Sequence, residues 1–345
     1  MDKTKQESDY FYIWKALACT LVVFIHCPFP GAARWILTAA ARIGVPFFFS
    51  VSGWYLFRTD DSEQQVEQLK GKIKKTAHML LRVGAAYTLF AVIVELSVGT
   101  FIPEWLSEKF SISEILKLLV YNSNSLVDSY AWHLWWLFAM LNCYVVLYCW
   151  KKLCKDFNLE KYGNKIGIVL LAVMLILQAV VPQKLAWYRN WLFEGMPFIL
   201  IGIYAQKNRL PAMFKLPTAF WLVMSVLEAH AFGKKEIYFS TVLAVLSILN
   251  RGHFTSFAWM SERLKKVLVH IGRELSAEVY CYHLMIYTTL IFQIHIDGDV
   301  WGVCRTFLVL GLSMLLAELL YRTKVKTHKK QLVSVSYTHL TLPTN

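Results

Sequence analysis

Two polar side chains in the first apolar segment have the types and the spacing to do chemistry. Lys15 and His26 are eleven positions apart. At about 100° per residue this spacing returns to nearly the same face of a helix, about 16 Å further along its axis. Because histidine is the side chain suited to moving a proton near neutral pH, we predict a helix face with a cation at one end and a proton-transfer group at the other.

Each of these residues also has a simpler interpretation. The Lys15 ammonium can reach the headgroup layer along its own aliphatic stem. His26 precedes the helix-ending segment Cys27–Pro30, where it can be an interfacial histidine bonded to water. A charge near the bilayer centre costs about 2.5–3.5 kcal/mol even on a lenient scale, so polar groups in apolar segments usually face a site. From this segment alone both interpretations stay open.

The second apolar segment contains a charge, a helix break and two hydroxyls. Arg42 needs an acidic partner or water, and the run Gly44–Pro46 interrupts the helix. Such a break is tolerated where neighbouring groups or a wet cavity satisfy the freed backbone. Ser50 and Ser52 follow, before Gly53. The alternative interpretation is a proline kink with small residues for helix packing.

The composition indicates the class of protein. The chain has 345 residues, of which 57% are hydrophobic and 17% charged, and this is more apolar surface than one soluble core of this size can hide. We predict an all-α polytopic membrane bundle of about ten transmembrane helices. The apolar runs that define these spans are 10–27, 35–57, 78–99, 132–150, 166–182, 191–206, 218–232, 237–250, 275–295 and 303–321.

The basic residues predict the orientation. If the N-terminus is cytoplasmic, most of the 36 Lys and Arg residues lie on the inward side, as the positive-inside rule requires. Both termini are therefore predicted to be cytoplasmic. The protein itself is predicted to lie in the plasma membrane. The net charge of +13 needs no nucleic acid, because basic inner loops beside anionic lipid are usual for this class; attraction of an anionic cytosolic cofactor is the alternative.

Three parts are predicted along the chain. Residues 1–9 form a cytoplasmic N-terminal segment, 10–322 the membrane domain, and 323–345 a basic and then polar tail that we expect to be disordered. The outward loop of about 100–131 is long enough to form a lid or a rim. The inward stretch 254–271 has apolar and basic residues at helical spacing, which predicts an interfacial helix.

The sequence predicts neither a metal site nor a permanently bound cofactor. The seven cysteines lack the spacing of a zinc site or a disulfide framework. His26 and Cys27 point apart on a helix, and the chain has no pair of histidines four positions apart. There is no glycine-rich phosphate loop, so nucleotide hydrolysis is not supported.

Several motifs, in this order, resemble the membrane-bound acyltransferase 3 family. They are Lys15 through His26, the run Arg42–Gly53, the run Trp132–Leu137, Arg189 followed by Gly195–Gly202, and Ile271–Ser276 leading to Tyr280–His283. The resemblance covers about residues 9–322 and implies about ten spans with both ends inside. Family members typically carry arginine where this chain has Lys15, which keeps the charge but lacks the planar fork suited to bidentate phosphate binding.

The resemblance implies O-acyl transfer across a membrane, often O-acetylation, in the cell envelope. The donor is acetyl-CoA or another acyl-CoA, and the acceptor is an extracytoplasmic hydroxyl, as on a cell-surface glycan. His26 is then a general base or helps to shuttle the acyl group, while Lys15 and the inner basic loops hold the donor phosphates. Arg42, Ser50 and Ser52 are candidates for binding the donor or stabilising charge on the carbonyl oxygen. The acyl chain, the acceptor and the oligomeric state stay open.

Further candidates for substrate binding are Arg189, His133 and His283. His133 lies in a tryptophan-rich belt, where an interfacial aromatic cluster is the alternative. His283 either lines the cavity or is hydrogen-bonded between helices. The acidic residues in or at the ends of spans that can pair with Arg42 or Arg189 are Glu95, Glu194, Glu228, Glu278 and Glu318.

Two other functions are weighed against acyl transfer. The fold also resembles the membrane half of vancomycin-resistance serine racemases, which implies transport of serine or another amino acid. Lys15 in place of arginine and the closing basic segment 322–330 are compatible with such a half. The other alternative is a non-catalytic membrane anchor. It ranks last, because an anchor has no reason to keep charges such as Lys15 and Arg42 in its spans.

Overall fold

The computed structural model describes residues 3–153, 159–253, 257, 259–294 and 296–340. All regular structure in these ranges is helical. The helices are α1 (Lys3–His26), α2 (Gly31–Ala41), α3 (Gly44–Trp54), α4 (Ser62–Ser97), α5 (Ile102–Lys109), α6 (Ile112–Tyr121), α7 (Ser125–Tyr130), α8 (Trp135–Leu153), α9 (Leu159–Val180), α10 (Leu185–Tyr188), α11 (Met196–Lys207), α12 (Thr218–Phe232), α13 (Phe239–Gly252), α14 (Glu262–His270), α15 (Ser276–Gln293) and α16 (Asp299–Leu340).

The apolar runs of the sequence coincide with these helices. Among the described residues, 6 helical segments are long and apolar enough to cross a membrane, and α12 and α13 are shorter apolar helices. The chain is therefore a helical membrane protein, as its composition predicts. The count of ten spans and the cytoplasmic location of both termini stay predictions. The 6 segments are Lys5–His26, Gly31–Trp54, Ser62–Ser97, Trp132–Leu153, Tyr162–Val180 and Asp299–Thr327.

The second span is broken where its sequence predicts a break. Helix α2 ends at Ala41 and α3 begins at Gly44. The backbone N–H of Arg42 donates to the carbonyl oxygen of Ala39 and that of Ile43 donates to the carbonyl oxygen of Ala40, which closes α2. Arg42 therefore lies at the bend between α2 and α3, where its side chain can reach the space between the two helices.

Helix α3 packs against α11 through two glycines. A Cβ added at Gly53 would collide with the carbonyl oxygen of Ile199, and one added at Gly202 would collide with the carbonyl oxygen of Ser50. Only glycine allows the two backbones to approach this closely. The small residues of α3 thus serve helix packing, the alternative interpretation of this segment.

The described residues include two turns of π-helix, at Trp191–Gly195 and Ile271–Leu275. Such turns are rare in proteins, and those that do occur are often found at functional sites. The first is held by Asn190, whose side chain accepts hydrogen bonds from the N–H groups of Leu192 at 2.9 Å and Phe193 at 3.1 Å. The turn places Glu194 in the interior, where it is 1% exposed.

The loop of about 100–131 is built from the short helices α5, α6 and α7. Glu114 of α6 joins two of them, since its Oε2 accepts a hydrogen bond from the N–H of Ser125 at 2.7 Å. Helix α14 lies within the stretch 254–271, of which 254–256 and 258 fall outside the described residues. Helix α16 continues to Leu340, whereas the composition predicts disorder from 323; residues 341–345 again fall outside the described part.

Candidate functional site

A cavity of about 520 Å³ opens at the end of the bundle where α1 terminates. Three residues singled out from the sequence, His26, Arg42 and Arg189, line it together. They come from α1, from the bend after α2 and from the segment after α10. We call this space the His26 cavity, and this end of the bundle the His26 end.

The His26 imidazole is held by the indole of Trp132. Nδ1 of His26 accepts a hydrogen bond from Nε1 of Trp132 at 2.8 Å, and both residues line the cavity. An indole N–H can only donate, so Nδ1 is the unprotonated nitrogen and the neutral ring carries its hydrogen on Nε2. The lone pair that can accept a proton is therefore the one that faces Trp132.

Two more histidines surround His26. The ring centroids lie 5.2 Å apart for His26 and His283, 6.0 Å for His26 and His133, and 5.0 Å for His133 and His283. His133 and His283 were candidates for substrate binding, but neither lines the His26 cavity. They are buried behind His26, at 1% and 0% exposure. We call these three residues the histidine cluster.

Backbone carbonyls fix the tautomers of the two buried rings. Nδ1 of His283 lies 3.1 Å from the carbonyl oxygen of Val279 and 2.8 Å from that of Tyr280, and Nε2 of His133 lies 3.0 Å from that of Cys281. A carbonyl oxygen only accepts, so these nitrogens carry hydrogen. The other nitrogens, Nε2 of His283 and Nδ1 of His133, are buried without a hydrogen-bond partner among the described residues. The cluster thus holds free lone pairs beside His26.

Arg42 forms a buried ion pair across the cavity. Its Nη1 lies 3.0 Å from Oε2 of Glu236, and the side chains are 10% and 11% exposed. Gln178 of α9 holds the segment that carries Glu236: its Oε1 accepts from the N–H groups of Glu236 at 2.7 Å and Ile237 at 3.0 Å, and its Nε2 donates to the carbonyl of Ile237 at 2.9 Å. Arg42 thus has the acidic partner that its depth requires.

That partner is not one of the five acidic residues considered from the spans, so this part of the prediction is wrong. Glu194 comes nearest, because the charges of Arg42, Arg189 and Glu236 all act on it. Its Oε2 is buried without a partner in the described part of the chain. The remaining four bind elsewhere: Glu95 to Thr100 and Tyr130, Glu228 to the N–H of Ser240, Glu278 to Arg82 and Lys324, and Glu318 to His270 and Arg322.

Arg189 and Tyr188 complete the wall beside α10. The Arg189 guanidinium lies 5.3 Å from the ring centroid of Trp135, a cation–π contact. The Tyr188 hydroxyl donates to the carbonyl of Pro182 at 2.9 Å. Burial raises the pKa of Tyr188, so its phenol stays protonated near neutral pH and is not a base.

Lys15 lies nearer the opposite end of the bundle, outside the lining of the His26 cavity. Its Nζ is 5.5 Å from the ring centroid of Tyr12 and 5.9 Å from that of Tyr55. The charges of Lys72 and Lys75 on α4 act on it. We call these three lysines the Lys15 cluster. The cation and the imidazole that the sequence predicts therefore lie in two separate regions along the same helix.

Ser50 and Ser52 lie away from both regions. Ser50 is 0% exposed and packs where α3 meets α11, and the Ser52 hydroxyl is hydrogen-bonded to Tyr144 of α8. Neither lines the His26 cavity. Their assignment to donor binding stays a prediction without a contact that favours it.

Several polar residues of the cavity were missed from the sequence, Gln178 and Glu236 among them, and Trp132 was included only as part of a motif. Trp132 directly precedes the candidate His133, but its bond to His26 joins positions 106 apart. Glu236 follows two lysines in the connection between α12 and α13. Within the described residues, no group of three or more His, Cys, Asp or Glu side chains is placed to hold a metal ion.

The fold and the site define a polytopic membrane protein with a buried histidine cluster behind a polar cavity. The acyltransferase 3 family model, described as an acyltransferase domain, matches residues 9–322, nearly the whole chain. The chain belongs to this family. It is a multi-pass membrane enzyme that transfers acyl groups other than aminoacyl groups, which confirms the resemblance of its motifs. The comparison with curated proteins gave no match, and neither did the comparison with solved structures.

Proposed function

We propose that this enzyme is an O-acyltransferase that moves an acyl group, acetyl in the simplest case, from a cytosolic acyl-CoA to a hydroxyl of an extracytoplasmic acceptor such as a cell-surface glycan. The observation that carries the proposal is the lone pair of His26 Nδ1, which is directed at an N–H donor in a cavity. A hydroxyl can replace that donor, because it also presents a hydrogen to an acceptor.

In this mechanism the acceptor hydroxyl takes the place of the Trp132 indole at His26 Nδ1. As the hydroxyl oxygen attacks the carbonyl carbon of the thioester, its proton passes to Nδ1. The carbon–sulfur bond then breaks, and the proton passes from His26 to the departing thiolate, so that an ester and a free thiol are the products. A base positioned in this way accelerates a reaction by about 10²- to 10⁴-fold.

The histidine cluster supports the base. When His26 is protonated, its Nε2–H needs an acceptor, and His283 offers an unpartnered lone pair on a ring whose centroid is 5.2 Å away. A base that is itself oriented by a third group is the general arrangement for activating a weak nucleophile. Arg189 at the cavity wall supplies positive charge for the oxygen of the tetrahedral intermediate.

The donor approaches from the Lys15 cluster. Phosphates are attracted to grouped cations with few carboxylates among them, and in the described part Lys15 has no ion pair with an acidic side chain. Lys15 and His26 are separated by about 16 Å along α1. Coenzyme A keeps its phosphates and its thioester at opposite ends of a long uncharged arm, so one donor molecule can contact both regions.

Transport of serine or another amino acid is the alternative function, and the family description favours acyl transfer. The test uses purified full-length protein in lipid vesicles with acetyl-CoA that carries a labelled acetyl group. We expect label on a hydroxyl acceptor supplied on the other side of the membrane, and a loss of about 10²-fold or more in rate for His26→Ala. His78→Ala is the matched control, because His78 is an exposed histidine of α4.

Transfer that persists in His26→Ala would contradict the role of His26. Uptake of serine into the vesicles, with no transfer of label to any hydroxyl or to water, would contradict the enzyme and favour the transporter.

A further inference from the structure

The His26 cavity carries an excess of positive charge at its rim. Besides Arg42, which is paired with Glu236, its lining includes Arg34, Lys234 and Lys235. Arg34 and Lys234 are exposed and Lys235 is half-buried. None of these three forms an ion pair within the ranges that the structure describes. Arg34 comes from α2, and the lysines come from the connection between α12 and α13, so two separate parts of the chain bring cations to one opening.

The topology does not account for these cations. Basic residues at the end of the bundle opposite the His26 end are expected, because positively charged loops stay on the cytoplasmic side. The loop charges predict that the His26 end faces outward, where this rule favours no lysine or arginine. Another cause is needed for three unpaired cations at a cavity mouth. A cleft lined by one sign of charge between apolar walls concentrates ligands of the opposite sign.

A second cavity, of about 490 Å³, adjoins the first and shares Arg34 and Lys234 with it. Its lining also includes Trp35 and Tyr238. The ring of Trp35 lies 5.9 Å from that of His230, at an interplanar angle of 32°. The shared cations therefore stand between a polar cavity with the proposed base and a more apolar, aromatic one.

We infer that the acceptor is an anionic molecule, with a carboxylate or a phosphate close to the hydroxyl that is acylated. This inference rests on the proposed function of the His26 cavity. The hydroxyl lies at His26, the anionic group binds Arg34, Lys234 and Lys235, and the rest of the acceptor extends into the second cavity. Hydrogen bonds between ionised partners are about twice as strong as neutral ones, so these residues select charged acceptors over neutral analogues.

The experiment compares acceptors that share one sugar ring and differ in whether they carry an anionic group. The vesicle-reconstituted protein is given labelled acetyl-CoA and one of three sugars: methyl glucoside, methyl glucuronide, or a methyl glucoside phosphate. We expect kcat/KM for the better of the two anionic sugars to exceed that for methyl glucoside by roughly tenfold or more, since a hydrogen bond between charged groups is stronger than one between neutral groups. The two anionic sugars distinguish a carboxylate from a phosphate site.

Two variants test whether the cations at the rim of the His26 cavity cause the preference for anionic sugars. In Lys234→Gln/Lys235→Gln the ratio of kcat/KM for the anionic sugar to that for the neutral sugar falls toward one, and in Arg34→Gln it falls less. Lys184→Gln is the matched control, because Lys184 is an exposed lysine at the same end that lines neither cavity. Added salt lowers the ratio in the wild-type protein by screening. Equal kcat/KM for charged and neutral sugars, or a ratio unchanged in the double variant, overturns the inference.

Calorimetric binding of the same sugars, without acetyl-CoA, separates this inference from the proposed function. If no acceptor and no water receives label, the proposed function fails. Binding of an anionic sugar that is lost in Lys234→Gln/Lys235→Gln then still supports the anionic site. If neither anionic sugar binds more tightly than the neutral one, the inference fails, whatever the activity.

Discussion

Trp132 donates its indole N–H to Nδ1 of His26 at 2.8 Å, across 106 positions of sequence. This bond fixes the neutral tautomer of the proposed base, because an indole cannot accept in return. It also occupies the lone pair that must receive the proton of the acceptor hydroxyl. Trp132 is therefore both a positioning residue for His26 and a cover over its reactive nitrogen.

The variant Trp132→Phe tests this dual role. It keeps an aromatic ring but removes the N–H, which leaves Nδ1 of His26 open to water. We expect acetyl-CoA hydrolysis in the absence of acceptor to rise several-fold, while transfer to the acceptor falls because the imidazole is less well oriented. The measurement is the ratio of hydrolysis to transfer. Trp187→Phe, an exposed tryptophan of α10, should leave the ratio unchanged, and an unchanged ratio in Trp132→Phe would contradict the covering role.

Lys15 lies near Lys72 and Lys75 of α4, whose charges act on it. If its role is to attract the donor phosphates, Lys15→Arg retains or lowers the KM for acyl-CoA, because the charge is kept and a planar fork is added. Lys15→Gln should raise this KM by roughly tenfold, the scale of one charge-assisted hydrogen bond. Steady-state kinetics with varied acyl-CoA check both. A larger effect on kcat than on KM in Lys15→Gln would argue against donor binding.

The sequence predicts more about the helices than about the contacts between them. Apolar runs and the interruption at Gly44–Pro46 give the class of protein and the bend after Arg42, because both depend on local composition. The partner of Arg42 depends on how the connection with Glu236 packs, and the two residues are 194 positions apart. Hydrophobicity also leaves the rotation of a buried helix undefined. The sequence alone therefore could not show that the backbone of Ser50 packs against Gly202 of α11.

The Arg42–Glu236 ion pair should contribute to the stability of the fold mainly because it leaves neither buried charge unpaired. Both side chains are about nine-tenths buried, and removing one partner of such a pair typically costs about 3–5 kcal/mol. We expect Glu236→Gln and Arg42→Gln each to lower the unfolding temperature in detergent. The double variant should be more stable than the sum of the single effects predicts, since no uncompensated charge is left. Additive losses would show that the two charges do not depend on each other.

Glu114 makes the loop of α6 and α7 sensitive to acid. The Lys117 ammonium and the N–H of Ser125 donate hydrogen bonds to its carboxylate and lower the pKa of Glu114 from 4.5 to about 2. A group whose pKa is lower in the folded state stabilises the fold above its unfolded pKa. This stabilisation should therefore be complete above about pH 4.5 and be lost as the pH falls toward about 2.

Hydrogen exchange of the segment 112–130 measures this loss when the wild-type protein and Glu114→Gln are compared at each pH, so that intrinsic exchange rates cancel. Near neutral pH the segment should be better protected from exchange in the wild-type protein than in Glu114→Gln. The wild-type side chain is a charged carboxylate that accepts hydrogen bonds from both Lys117 and Ser125, whereas the glutamine is neutral. The difference should shrink below about pH 4.5 and vanish only below about pH 2. Glu104→Gln, an exposed glutamate of α5, is the control. A difference that persists at the lowest pH would show that Glu114 stabilises the loop by shape and not by charge.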